Sequence, residues 1–231
     1  MDLSADAKMS EDPIPDDEDD MPGLPSLSDD EIDESQARED SCIEQLKTHW
    51  INERGAPEIL DYEAKVVADV KEELDAQQEL IDKCSDSKGA ALMLRIYQME
   101  VDRINFVLKA YLRTRLRKIE KHVLQILSQP ELLPRLSKHE QNFAEKYVDL
   151  IEKNFNQAFL KHIPEEYASM GKEEMVVTAK LDRYVYARGV KDVGTVSLGE
   201  SGDLYINQGD ILVANYRHIK DLVKSGLIQL I

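Results

Sequence analysis

Residues 94–123 read LRIYQMEVDRINFVLKAYLRTRLRKIEKHV. Apolar residues return every three or four positions, the spacing of one face of an α-helix. At about 100° per residue, with Val101 at zero, Leu94, Ile104, Leu108, Leu112, Leu116, Ile119, Val123 and Ile126 fall within about 60° of it. Arg115 falls inside the same stripe, at about −40°. Ile96, Met99, Phe106, Val107 and Ala110 face away, so the first half of the helix is apolar nearly all round and needs cover on both sides. Arg113, Arg117 and Lys121 take the far side of the second half. Running from about Ala90 to Ser128, the helix spans about 60 Å before Pro130 and Pro134 stop it.

An arginine on an oily face has several readings. It can snorkel, burying its stem while its head reaches water. It can pair with an acid from another helix, because a buried unpaired charge costs several kcal/mol. It can reach a partner's carboxylate or a nucleic-acid phosphate. The residues alone leave these open.

Outward from this helix, the pattern predicts three more. Ser41 and Glu44 fit a capping box, followed by Ile43, Leu46, Trp50 and Ile51 on one face and by Gly55 and Pro57 as a stop. Val67, Val70, Leu74, Ile81 and Cys84 mark a second helix, closed by a turn over Ser85 to Gly89. Ser137 and Glu140 open a fourth, where Phe143, Tyr147, Ile151, Phe155 and Phe159 recur every fourth residue before Pro164. Beyond Gly171 the texture changes. VYARGV, GTVSL, DLYIN, DILVANY and LIQLI read as short strands, and YRHIKDLVKSG as a helix ended by Gly226.

The fold class is therefore mostly α: an N-terminal helical bundle of about four helices over 41–165, a linker over 166–174, and a small β-rich domain over 175–231. A module of about 55 residues buries only roughly 60% of its unfolded surface and is marginal alone. It also ends on Leu227, Ile228, Leu230 and Ile231, an apolar edge suited either to its own sheet or to docking on another surface.

The 231 residues carry a net charge of −17, and residues 1–40 hold 16 acids against 2 bases. That segment reads as a disordered acidic tail. Within it, LPSLSDDEIDE offers Leu24, Leu27 and Ile32 as a short docking motif, with Ser26 and Ser28 as candidate phosphorylation sites. The remainder, 30 acids against 27 bases, is too balanced for a general grip on DNA. Direct DNA contact is expected to be weak or absent, with Arg113, Arg117 and Lys121 as the local exception. Cys42 and Cys84 form no disulfide framework, which fits a reducing compartment. The acidic start offers no signal peptide, and no run approaches the roughly 18 apolar residues of a membrane span.

No phosphate loop, dinucleotide turn, HExxH, CxxC or GxSxG pattern occurs. His49, His122, His139, His162 and His218 are scattered. No catalytic residue, metal site or cofactor is expected.

Three stretches carry a resemblance. YLRTRLRKIEKH, with RINFVL just before it, resembles the signature helix of subunits of the GINS replication complex, and HWINERGAPEIL and LVKSGLIQLI agree with the same family in the same order. The resemblance covers about residues 41–231. It implies a non-enzymatic scaffold: one of four related chains, each with a helical and a small β domain. It further implies that the complex joins the MCM hexamer and the Cdc-forty-five protein in the nuclear replicative helicase, and helps tether a replicative polymerase. The family motifs fall on Trp50, Asn52, Glu53, Ala56, Pro57 and Leu60, on Tyr111, Leu112, Arg113, Arg115, Leu116, Lys118, Ile119 and Glu120, and on Gly226, Ile228, Gln229, Leu230 and Ile231. Tyr111, Arg113, Arg115, Leu116, Arg117, Lys118 and Ile119, with Phe106 and Val107, are then expected at a subunit interface or in structural ion pairs. Leu227, Ile228, Leu230 and Ile231 are expected as a docking edge. The alternative from another class is an adaptor whose acidic tail binds basic partners such as histones.

Overall fold

The computed structural model describes residues 41–84, 91–164, 176–197, 199 and 202–231. The acidic tail with Ser26 and Ser28, the turn over 85–89 and the linker over 166–174 lie outside the described residues.

Four α-helices come first: α1 (Cys42–Gly55), α2 (Ala64–Cys84), α3 (Ala91–Ser128) and α4 (Lys138–Ala158). Strands β1 (Tyr184–Gly189), β2 (Gly194–Ser197), β3 (Asp203–Ile206) and β4 (Ile211–Asn215) follow, then α5 (Tyr216–Lys224) and β5 (Ile228–Leu230). The predicted class, a helical bundle with a small β-rich end, is the one observed.

The helix ends divide the sequence signals. At α4 the capping box forms: the Glu140 N–H donates to Ser137 Oγ at 3.2 Å, and the Ser137 N–H to Glu140 Oε2 at 2.8 Å. At α1 it does not. Ser41 occupies the N-cap without a side-chain hydrogen bond, and Glu44 pairs with Lys47 one turn on. α4 stops at Ala158 and a 3₁₀ turn over Leu160–His162 follows, so the helix does not continue to Pro164. α3 is broken at His122 (φ −118°, ψ 19°), where the imidazole Nδ1 meets the Val177 carbonyl at 3.1 Å. Three residues on, Gln125 Oε1 accepts the Ala179 N–H at 2.9 Å. The chain entering the β module is thereby pinned across the second half of α3.

α3 passes through two cores. In its first half Val101, Ile104, Val107, Leu108 and Tyr111 pack with Leu46 of α1 and Val66, Val67, Val70 and Leu74 of α2. In its second half Ile119, Val123 and Ile126 pack with Ile59, Leu136 and Ala144. Val107 belongs to the first core, contrary to its expected outward position, because α1 and α2 together wrap more of α3 than one stripe.

A third core fills the β module. β1 lies between β4 and β5 in an antiparallel sheet, and Val185, Ala187, Leu212, Ala214, Ile228 and Leu230 pack on Tyr216, Ile219 and Val223 of α5. Ala56, at the end of α1, is part of this core. The Leu230 N–H donates to Asn52 Oδ1 of α1 at 2.8 Å. α5 ends in a paired turn, with the Leu227 N–H on the Leu222 carbonyl and the Gly226 N–H on that of Val223. Gly226 supplies the φ of 71° this geometry requires.

At the end of β1 the backbone passes so close to the β3–β4 turn that a Cβ on Gly189 would sit 2.4 Å from the Asn207 carbonyl oxygen. Gly189→Ala is expected to destabilise the chain by about 1–3 kcal/mol, the usual scale of overpacking. Urea unfolding followed by circular dichroism checks this.

Candidate functional site

Arg115 sits on α3 where the first two cores meet, and its side chain is 0% exposed. Its Nε and Nη2 donate to the two oxygens of Glu140 at 2.8 and 3.1 Å. Nη1 donates to Glu53 Oε2 at 3.1 Å and to the Leu60 carbonyl at 2.8 Å. Nη2 also donates to the Arg135 carbonyl at 2.9 Å. A guanidinium has five N–H donors, and these five bonds use them all. The Tyr62 and Tyr111 rings flank the guanidinium at 5.3 and 5.8 Å. Burial works against the charge, but the Glu140 hydrogen bonds and the Glu53 and Glu140 carboxylates outweigh it and push the Arg115 pKa up.

The network spreads from there. Lys118 Nζ, one turn along α3, donates to Glu53 Oε1 at 2.8 Å and to the Glu58 carbonyl at 2.7 Å. Burial lowers its pKa, with Glu53 opposing. Glu58 accepts from Arg135 Nη1 at 2.9 Å and from the Tyr216 hydroxyl at 3.2 Å. One polar cluster thus ties α1, the segment after it, α3, α4 and α5 together.

The expected site residues therefore divide. Arg115, Ile119, Tyr111 and Val107 are buried within the chain, Lys118 is spent on Glu53, and Leu116 packs on the second core. Phe106, Arg113 and Arg117 are exposed. Ile228 and Leu230 are buried against the chain's own α5 and α1, Leu227 is half-buried and Ile231 exposed. The sequence pattern singles out neither Glu53 and the Arg135 carbonyl as partners of the buried arginine nor Glu58 and Tyr216 as members of the cluster. Glu140 was legible as a cap but not as an ion-pair partner; nothing in one-dimensional spacing matches it to Arg115, 25 positions back.

The exposed side of α3 has its own order. Positions 92, 96, 99, 103, 106, 110, 113 and 117 follow at alternating steps of four and three, the period of a helix–helix seam. Leu92, Ile96, Met99 and Phe106 on it are each more than half exposed. Arg103 is held by Glu100 at 2.8 Å, whereas the exposed Arg113 and Arg117 form no ion pair among the described residues. The seam is apolar at one end and cationic at the other. Among the described residues no group of three or more His, Cys, Asp or Glu is placed to hold a metal ion, and no helix is long and apolar enough to cross a membrane.

Removing the guanidinium strands two buried carboxylates. Arg115→Leu is expected to cost about 3–5 kcal/mol, and Arg115→Lys less, since it keeps the charge but not the fork. Equilibrium unfolding in urea distinguishes them. A pH dependence follows from the buried phenols. Burial pushes Tyr111 up to about 12, and burial with Glu58 pushes Tyr216 higher still. Unfolded tyrosine ionises near 10, so above that pH the unfolded chain releases protons the folded chain retains, and stability falls as pH rises. Tyr216→Phe is expected to flatten that fall by about 1.4 kcal/mol in total between pH 9 and 11, read from urea midpoints.

Sequence comparison bears on the same residues. The model for the Sld5 family, described as the GINS complex protein helical bundle domain, matches residues 61–159. That for the DNA replication complex GINS protein SLD5 C-terminus matches residues 180–231. Curated proteins named DNA replication complex GINS protein SLD5 align along most of the chain. The one from Arabidopsis thaliana is 36% identical over 202 residues, covering 83% of this chain and 91% of the relative. The Schizosaccharomyces pombe protein is 29% identical over 212 residues, covering 88% and 98%. The Rattus norvegicus protein is 33% identical over 200 residues, covering 82% and 88%.

Proposed function

The chain belongs to the SLD5 family of GINS complex proteins, and from that premise we propose that it is a non-enzymatic scaffold subunit of a four-chain GINS complex in the nucleus. Through the assembled complex it meets the MCM hexamer and the Cdc-forty-five protein in the replicative helicase. The observation that carries this reading is the uncovered seam of α3. Leu92, Ile96, Met99 and Phe106 form a row of large apolar side chains, which a lone soluble chain rarely leaves in water. A neighbouring helix laid along α3 would cover them, as a/d side chains are covered in a coiled coil. Arg113 and Arg117, at the basic end, would then meet carboxylates of that neighbour.

The buried charges fit a structural task. Glu53, Glu58 and Glu140 are each engaged by Arg115, Lys118, Arg135 or Tyr216, so the cluster holds elements together and presents no free acid–base pair. Direct DNA contact is not required. Two free arginines on an apolar seam make a weak grip on phosphates compared with the six to ten contacts of a strong binder, roughly.

Coexpression with three other GINS subunits is expected to yield a four-chain complex by native mass spectrometry. The double variant Met99→Asp/Phe106→Asp is expected to weaken assembly at least about tenfold, the scale of an interface hot spot. Its own melting temperature should stay unchanged, because both side chains are exposed. A monodisperse, soluble monomer of the wild-type chain that recruits no subunit would overturn the proposal.

A further inference from the structure

We draw no further inference here: the strongest candidate, the cleft between α1 and the end of the β module lined by Glu44, Asp61, Glu63 and Tyr111, selects no ligand, because Lys47, Arg135 and His49 already face its three carboxylates and the Tyr111 hydroxyl is buried beyond a ligand's reach.

Discussion

The bidentate fork between Arg115 and Glu140, with Glu53 on the third nitrogen, is the constraint on which the rest of the chain is organised. A guanidinium withdrawn from water is tolerable only if every donor is met. Meeting them here requires α1, the segment through Leu60, the turn at Arg135 and α4 to converge on one point of α3. Glu140 serves twice, as the reciprocal half of the α4 capping box and as the main acceptor of Arg115. The start of α4 and its approach to α3 are therefore set by the same carboxylate. Hydrophobic packing alone is non-directional; the fork adds direction and register.

The same cluster couples the two parts of the molecule. Glu58 receives Arg135 from the helical side and Tyr216 from α5, while Asn52 of α1 accepts an N–H of the last strand. Ala56 completes the core of the β module. A module too small to be robust alone is thus built onto the end of α1. The loss of one buried charge would be felt in both parts.

With the charges used internally, the surface shows what remains for other chains. α3 is covered on one side by α1, α2 and α4 and left bare along an apolar seam on the other. The central sheet is covered by α5 on one face and bare on the other. Both bare faces have large apolar side chains beside arginines that form no ion pair among the described residues. This fits a chain whose fold is complete yet whose surface is not.

The periodicity of residues 94–123 was enough to place α3, its buried stripe and its opposite apolar side, because helical spacing is a local property of the chain. Strand alternation, the Ser137–Glu140 cap and the Gly226 stop were legible for the same reason, and three family motifs placed the chain among GINS subunits. Ser41 and Glu44 show the limit of such signals. Their spacing fits a capping box, yet Glu44 turns instead to Lys47. Only tertiary structure decided whether Arg115 faced a partner or its own fold, since Glu53 and Glu140 lie 62 and 25 positions away and no local rule relates them. It likewise decided that Val107 is covered and Phe106 is not, because that depends on how far α1 and α2 wrap around α3. Pattern reports which face of an element is oily; what lies against that face is settled by the packing of distant segments.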